Sequence, residues 1–226
     1  MTRIARVLSR RAGHDGGAHD GSVLVWQSSA LLLAYPDEDS VARMVLVEPA
    51  ADALPEHARA PLLTVASHIL GRPLIQAQQE YVQTFDWKRR RALFLSYWTA
   101  GDTRNRGQAI LRFARAYRAA GVAPPSDELA DHLSVVLEFA ATVDGAIGYD
   151  LLAEHRTPLA MLRDALTQAQ STYALVVGAV CSTLPVPGPD DLAAARRLAA
   201  TGPPVETVGL EPFPTPLPFP TTGAPR

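Results

Sequence analysis

The chain has 226 residues, a net charge of −2 at pH 7, and 47% hydrophobic against 19% charged residues. These proportions are typical of a folded globular protein and exclude a largely disordered one. The small net charge gives no overall electrostatic attraction to nucleic acid or to an anionic membrane, although local patches can still be basic. The single cysteine, Cys181, excludes a disulfide within the chain and is typical of a reducing compartment.

The first 21 residues are predicted to form a flexible tail. Arg10 and Arg11, followed by the apolar run 23–33, superficially resemble a twin-arginine export signal. A glycine-rich, acidic segment separates the two features, and no small-residue cleavage pattern follows them. No apolar run approaches the ~20 residues needed to span a bilayer, so the protein is expected to be soluble.

Apolar spacing predicts helices along the chain and no convincing strand pattern. The expected fold class is all-α, with a single compact, helical bundle-like domain over residues 22–202. Asp37 or Asp39 is expected to cap the second helix, and Gly71 to stop the third. The predicted helices cover residues 23–34, a short helix ending at 47, then 56–70, 74–85, 90–100, 104–120, 126–143, 146–154, 158–184 and 190–200.

Residues 203–226 are predicted to be a disordered tail. Eight of the 19 prolines of the chain lie from Pro203 onward, and such a segment cannot continue a helix or join a sheet. Three apolar residues there, Phe213, Leu217 and Phe219, could dock on a partner, but disorder is the favoured interpretation.

The helix predicted at 104–120 has marked ends and two distinct faces. Asp102 is a good N-cap candidate, and Gly121 is placed to stop the helix. Four arginines fall opposite the apolar face, whereas Arg106 points along that face. Since a buried guanidinium needs a partner, we expect Asp86 or Asp102 to face Arg106. The four arginines on the polar face are Arg104, Arg112, Arg115 and Arg118.

Gly107 lies one turn into this helix, where glycine costs about 1 kcal/mol relative to alanine. The close approach of a neighbouring helix, or of a bound chain, would explain it.

No catalytic signature is present. Phosphate loops, dinucleotide turns, nucleophile elbows and zinc-protease motifs are all absent, and Cys181 lies in an apolar segment typical of a buried, inert thiol. We therefore expect a protein that is not an enzyme.

An acidic cluster on the predicted 126–143 helix is open to three interpretations. Glu128, Asp131, His132 and Glu138 project to one side of that helix. They fit a solvated face, a functional surface that contacts a polypeptide or ligand, or a metal site built on Glu128 and His132. No second pair of ligands supports the metal, so none is expected.

The densest positive run is residues 88–91, Lys-Arg-Arg-Arg. A solvated loop is the usual explanation of such a run. Together with the arginine face of the next helix, it could instead bind nucleic acid or a polyphosphate-bearing cofactor. The alternative function is therefore a helical nucleic-acid-binding regulator that uses Lys88–Arg91.

Three segments in order resemble the signatures of the NarJ-type chaperones, within the wider TorD/DmsD group of redox-enzyme maturation proteins. They are Tyr-Val-Gln-Thr-Phe-Asp at 81–86, Gly-Asp-Thr-Arg-Asn-Arg-Gly at 101–107, and Glu-Leu-Ala-Asp-His-Leu at 128–133 with Leu-Glu-Phe at 137–139. Leu-Leu-Leu-Ala-Tyr-Pro at 31–36 resembles the end of the family's first helix. The chain departs from the family at Ala130, where a proline is usual.

The resemblance implies an all-helical, cytoplasmic, non-catalytic protein that assists molybdenum cofactor insertion into respiratory nitrate reductase. Its partner would be the apo catalytic (alpha) subunit, including the N-terminal peptide, with no nucleic acid and no membrane insertion. No cofactor would be bound permanently, although the molybdenum cofactor could be contacted transiently. The oligomeric state stays open. The residues expected to bind the partner are Tyr81, Phe85, Asp86, Glu128, Asp131, His132 and Glu138, and those expected to form a structural or binding network are Asp102, Arg104, Arg106 and Gly107.

Overall fold

The computed structural model describes residues 17–101, 103–186 and 188–201, and these residues form α-helices without any β-strand. The expected all-α class is therefore confirmed. A single isolated β-bridge joins Phe94 to His132 within these ranges. The helices are α1 (Gly17–Leu32), α2 (Glu38–Met44), α3 (Glu56–Leu70), α4 (Leu74–Tyr81), α5 (Leu95–Ala100), α6 (Asn105–Ala119), α7 (Leu133–Thr142), α8 (Gly145–Glu154), α9 (Arg156–Gln168), α10 (Ala174–Ser182) and α11 (Pro189–Thr201).

Helix α1 lies in the middle of the bundle. It packs against α7, α10, α3 and α2, and its residues Val25 and Leu32 are fully buried. The indole Nε1 of Trp26 donates a hydrogen bond to the Thr183 hydroxyl at 2.9 Å, which ties α1 to the end of α10. A helix surrounded by others buries more than one face, which explains why its sequence is apolar almost all round.

Several predicted helix ends are confirmed. Asp37 caps α2 in a capping box with Ser40, and α3 has the predicted bounds with Gly71 at its C-cap. Helix α6 ends in a Schellman motif, in which Gly121 adopts a φ of 81° and the Val122 amide donates to the Tyr117 carbonyl at 3.0 Å. The capping role predicted for Asp102 falls on a residue outside those that the structure describes.

The helix predicted at 126–143 is wrong in its first half. Helix α7 begins only at Leu133, and residues 121–132 are irregular. The Leu95 amide donates to the Asp131 carbonyl at 3.0 Å, and the Leu133 amide donates to the Leu93 carbonyl at 2.9 Å. These long-range hydrogen bonds hold residues 131–133 extended against 93–95, so a tertiary contact overrides the local helical pattern.

The long helix predicted at 158–184 is also wrong, because α9 and α10 are separate. Gln170 sits between them with a φ of 54°, and the Ser171 amide donates to the Leu166 carbonyl at 3.0 Å. This arrangement is a Schellman-type helix end in which a glutamine occupies the left-handed position that glycine usually takes. A left-handed glutamine is rare enough that the sequence carries no signal for the break.

Three further bounds differ from the predictions. The segment predicted as one helix at 90–100 is a 3₁₀ turn at Arg89–Arg91 followed, after an extended stretch, by α5. The helix predicted at 74–85 ends at Tyr81 and continues as a π-helical turn, Val82–Asp86. Helix α1 begins at Gly17, inside the predicted flexible tail. The predicted tail 203–226 lies outside the described residues.

Candidate functional site

An exposed apolar groove lies between the segment that follows α1 and the surface of α4. Its volume is about 450 Å³. Trp87 is 70% exposed, Ile75 60% and Tyr35 44%, which are high values for large apolar side chains. Exposed apolar surface that is grouped in this way marks an interaction site more often than scattered residues do. The groove is lined by Tyr35, Ile75, Gln78, Gln79, Val82, Gln83 and Trp87.

The π-helical turn after α4 shapes one wall of this groove. The Trp87 amide donates to the Val82 carbonyl at 3.2 Å, five residues back, as a π-helical hydrogen bond does. The extra residue in the turn lets Phe85 point into the core while Trp87 stays exposed. Such turns cost stability and occur frequently at functional sites.

The predicted binding residues Tyr81 and Phe85 support the groove from inside. Both are buried, and their rings pack at 4.8 Å between centroids, with Tyr173 at 4.9 Å from Phe85. The Tyr81 hydroxyl donates to the Leu33 carbonyl at 3.0 Å, and Tyr35 contacts the Tyr81 ring edge-on at 5.4 Å. These two aromatic residues therefore position the wall of the groove and do not offer its open surface.

Two carboxylates, one of them next to the groove residue Trp87 in the chain, interact electrostatically. Asp86 directly precedes Trp87, and both Asp86 and Glu128 are exposed. Partial burial raises the pKa of Asp86, and the neighbouring negative charge of Glu128 raises it further. Both carboxylates also raise the pKa of Tyr81, after the larger effect of its burial. Asp86 adjoins the groove through Trp87, and we call Asp86 together with its electrostatic neighbour Glu128 the acidic edge of the groove.

Asp131 does not lie on an exposed acidic face, and that part of the prediction is wrong. It is 0% exposed, and its Oδ2 accepts hydrogen bonds from the Ser96 hydroxyl at 2.5 Å and the Ser96 amide at 3.1 Å. Its other carboxylate oxygen, Oδ1, is buried with no hydrogen-bond partner within the described part of the chain. Asp131 thus anchors the loop before α7 onto α5, and its role in partner binding stays a prediction.

His132 is buried too, so the predicted shared helix face does not exist. Its Nδ1 lies 2.7 Å from the Ser134 hydroxyl, and its ring packs edge-on against Phe94 at 5.2 Å. Burial lowers the pKa of His132 to about 4, although the charge of Asp131 acts in the opposite direction.

The geometry assumed for a Glu128–His132 metal pair is wrong as well, because neither residue is in a helix. Among the described residues, no three histidine, cysteine, aspartate or glutamate side chains are placed to hold a metal ion.

Glu138 is exposed on α7. Its electrostatic neighbours are Arg43 and Asp127, and its pKa is raised mainly by partial burial. The predicted binding residues therefore divide into a buried set, an acidic groove edge, and this separate carboxylate. Their binding roles stay predictions.

Arg106 is half-buried, as its position on the apolar face of α6 indicates. Its guanidinium carbon lies 5.4 Å from the Phe94 ring centroid and 5.8 Å from that of Tyr97, so the cation packs on two aromatic faces. The predicted pairing with Asp86 or Asp102 stays a prediction, since Asp102 lies outside the described residues. The predicted polar face is confirmed: Arg104, Arg112, Arg115 and Arg118 are all exposed, and Arg112 pairs with Glu154.

Gly107 is exposed, and a Cβ built on it would meet nothing within 4 Å among the described residues. A neighbouring helix is therefore the wrong explanation for this glycine in the described part of the fold. The explanation by a bound chain stays open.

The basic run is largely exposed. Lys88, Arg89 and Arg90 are exposed, while Arg91 donates to the Gln83 carbonyl at 3.3 Å. Nucleic-acid binding by this run stays a prediction.

Cys181 is half-buried, and burial raises the pKa of its thiol to about 11. Within the ranges that the structure describes, no helix has both the length and the apolar character needed to cross a bilayer.

Residues 51–176 match the family model described as "Nitrate reductase delta subunit". The chain belongs to this family. The match includes all three ordered segments on which the NarJ-type resemblance was based, and that resemblance is confirmed. It also includes Ile75 and Trp87, whereas Tyr35 precedes it.

The similar proteins include both chaperones and a longer chain. "Nitrate reductase-like protein NarX" of Mycobacterium tuberculosis (strain H37Rv) is 45% identical over 168 residues, 71% of this chain and 24% of that protein. The chain thus spans about a quarter of the length of this relative. "Probable nitrate reductase molybdenum cofactor assembly chaperone NarJ" of Bacillus subtilis is 24% identical over 71% of this chain and 88% of its own. "Nitrate reductase molybdenum cofactor assembly chaperone NarJ" of Escherichia coli (strain K12) is 33% identical over 45% and 43% of the two chains.

Sequence reasoning missed Ile75 and Trp87 as groove residues. Ile75 is the one large apolar residue on the exposed side of α4, and Trp87 follows the signature segment 81–86 next to the basic run. An isolated apolar residue among polar neighbours is a weak signal, because single exposed apolar residues are common. Their grouping with Tyr35 depends on tertiary structure.

Proposed function

We propose that this protein is a system-specific chaperone that binds the apo catalytic (alpha) subunit of respiratory nitrate reductase, including its N-terminal peptide. It assists molybdenum cofactor insertion and assembly while it holds the unfinished subunit. The observation that carries the proposal is the exposed apolar groove with its acidic edge. The names of the NarJ relatives and the family match support it.

The chemistry of the groove suits a peptide that is apolar with flanking basic residues. Tyr35, Ile75 and Trp87 supply apolar contact, as a groove does for the apolar face of a bound helix. Three glutamines supply hydrogen-bond donors and acceptors along the same wall. Asp86 and Glu128 attract basic side chains at the edge, which favours association and sets orientation.

The groove alone is too small to account for tight binding. Covering the exposed parts of its three large apolar side chains contributes on the order of 1–2 kcal/mol each. A micromolar Kd requires about 8 kcal/mol, and association itself costs several. We therefore propose that the peptide supplies recognition while other surfaces of the apo-subunit contribute the remaining affinity.

The proposed role needs no permanently bound cofactor and no catalysis by this chain. Contact with the molybdenum cofactor would be transient, and the setting would be the cytoplasm, as the family resemblance implies. Nucleic acid is not among the proposed partners. A salt-dependent gel shift that is lost when Lys88 and Arg90 are replaced by alanine would favour the alternative regulator.

The proposal is tested by calorimetry with the reductase N-terminal peptide and with the apo-subunit. Trp87→Ala and Ile75→Ala are each expected to weaken peptide binding by about ten-fold, on the scale of a lost apolar anchor. Both side chains are largely exposed, so the melting temperature should stay unchanged. Leu111→Ala on α6 is the matched control, because Leu111 is also an exposed apolar residue. Absence of binding by both the peptide and the apo-subunit would refute the proposal.

A further inference from the structure

The C-terminal segment has a sequence pattern that the proposed function does not use. Proline occupies every second position from Pro212 to Pro220, in the order Pro-Phe-Pro-Thr-Pro-Leu-Pro-Phe-Pro. Each proline restricts its own φ and disfavours helix in the residue before it. From sequence alone, the alternation therefore predicts an extended, polyproline-like conformation that loses little conformational entropy on binding.

The groove has the chemistry that recognises such a segment. Proline-rich ligands dock in grooves lined by aromatic residues, and this groove is lined by Tyr35 and Trp87 together with Ile75. A segment with proline at alternate positions lacks half of its amide donors but keeps all of its carbonyl acceptors. Gln78, Gln79 and Gln83 offer side-chain amide donors along the same wall.

The Trp87 indole adds one more donor to this wall. Its N–H makes no hydrogen bond within the described part of the chain, whereas Trp26 and Trp98 donate to Thr183 and Ala92.

The linker between the end of α11 and this segment is long on the scale of the domain. That helix ends at Thr201, and the eleven positions between it and Phe213 span up to about 40 Å when extended. A compact domain of about 185 residues has a radius of gyration of about 16 Å, so a 40 Å linker is comparable in length to the diameter of the domain.

We propose that residues 212–220 dock in the groove lined by Tyr35, Ile75 and Trp87 of the same chain. Phe213, Leu217 and Phe219 supply the apolar side chains, and the groove glutamines bind the carbonyls between the prolines. The nine residues carry no charge, so their docking does not use Asp86 or Glu128. The acidic edge stays available to a basic partner, which can bind there and displace the segment.

Linkage within one chain makes even a weak contact effective. A segment with a Kd on the order of 100 μM as a free peptide, held at an effective concentration of about 1 mM, fills the groove about 90% of the time. A partner that needs the same groove then binds about ten-fold more weakly, since only the open fraction is competent. This competition rests on the proposed function, whereas the intrachain contact does not.

The contact is measurable in the free full-length chain through tryptophan fluorescence. The chain has three tryptophans, of which Trp26 and Trp98 are buried and Trp87 is 70% exposed in the described structure. Phe213→Ser with Phe219→Ser is expected to raise acrylamide quenching about two-fold or more and to shift the emission to the red. The same double change in a Trp87→Phe background should leave the fluorescence unchanged, which assigns the signal to Trp87.

Matched controls show whether the groove is occupied by the segment of the same chain or by that of a second copy. Leu111→Ala should leave the quenching of the full-length chain unchanged, and a synthetic 208–224 peptide added to the double variant should restore protection. Equal quenching in the full-length chain and the double variant would overturn the proposal. Protection that grows with protein concentration would place the segment of a second copy in the groove and would overturn the intrachain contact.

A second measurement separates this proposal from the proposed function. If both hold, the Phe213→Ser, Phe219→Ser variant binds the reductase peptide about ten-fold more tightly than the unaltered chain does. A fluorescence change without any peptide binding would support the intrachain contact and refute the peptide-binding function. Peptide binding of equal affinity in both proteins, with no fluorescence change, would refute the intrachain contact alone.

Discussion

At the scale of single residues, Asp131 is a buried carboxylate whose hydrogen bonds fasten one loop to one helix. Asp131→Ala would leave the amide and hydroxyl of fully buried Ser96 without an acceptor. We expect the free energy of unfolding to fall by about 2–4 kcal/mol, because each unsatisfied buried group costs 1–3 kcal/mol. Asp131→Asn keeps an acceptor oxygen, so its free energy of unfolding should fall by about half as much. Chemical denaturation measures both changes.

The same pair of variants tests whether Asp131 contacts the partner. Since the carboxylate is inaccessible, folded Asp131→Asn should bind the reductase peptide as the unaltered chain does. A ten-fold loss of affinity with unchanged stability would show instead that the loop opens and that Asp131 meets the peptide directly.

His132 predicts a dependence of stability on pH. Its pKa is lowered from the ordinary 6.5 to about 4 by burial. Between these values the unfolded chain binds a proton and the folded chain does not, so stability is full above pH 6.5 and falls as the pH drops towards 4. The loss reaches up to about 3 kcal/mol. In His132→Asn, the contribution of His132 to the dependence of stability on pH should be absent.

Denaturant titrations between pH 7 and 4 measure the effect. Burial also lowers the pKa of His155, which contributes in the same direction and keeps some slope in the variant. An identical pH profile for His132→Asn and the unaltered chain would contradict the assignment.

At the scale of elements, local signals predicted what local interactions determine. The helix at 56–70 matches its predicted bounds, because its apolar periodicity and Gly71 act within one segment. Gly121 likewise ends α6 as expected. The prediction of helix was wrong for the first half of 126–143, because the backbone of residues 131–133 is hydrogen-bonded to that of residues 93–95. No local sequence pattern predicts this long-range contact.

In the candidate site, too, the features set by local sequence were predicted, and those set by long-range packing were not. The segments 81–86 and 128–133 were recognised from their residues, but which of their side chains are buried depends on packing between distant elements. Phe85 and Asp131 looked like surface contacts in the sequence and are core residues in the structure. Trp87 and Ile75 became visible as a site only beside Tyr35.

Two glycines in helices give opposite predictions. A Cβ on Gly107 would meet open space among the described residues, so Gly107→Ala should raise the free energy of unfolding by about 1 kcal/mol. A Cβ on Gly148 would lie 2.3 Å from the Cβ of Ala140, where α7 and α8 pack. Gly148→Ala should therefore lower it by about 3 kcal/mol, because the two backbones must separate.

Thermal and chemical denaturation measure both glycine changes. If Gly107 faces a bound chain, Gly107→Ala gains stability and loses partner affinity at once. A destabilised Gly107→Ala chain would show that another group approaches the glycine.

At the scale of the whole molecule, segments far apart in the sequence meet in one continuous region. Asp86 interacts electrostatically with Glu128, and both His132 and Arg106 pack on the Phe94 ring. Helix α1 crosses the middle of the bundle and delivers Tyr35 to the groove. Residues of the three ordered segments therefore interact with one another or share the neighbour Phe94 in the folded chain.

The acidic edge predicts that partner binding is coupled to protons. The pKa of Asp86 is raised in the free protein by partial burial and by Glu128. A basic side chain bound beside it favours the charged form and lowers that pKa, so binding releases a proton when the pH is near the raised pKa. Peptide affinity should then fall about two- to five-fold as the pH is lowered through the raised pKa, the scale expected for an exposed charge pair.

Calorimetry in two buffers of different ionisation enthalpy measures the proton release directly. Asp86→Asn should weaken binding at neutral pH and flatten its dependence on pH, since the titrating group is gone. Asp150→Asn on α8 is the control, because Asp150 is an exposed carboxylate outside the predicted binding residues. If the two variants lose pH dependence equally, the acidic edge of the groove is not where the basic residues of the partner bind.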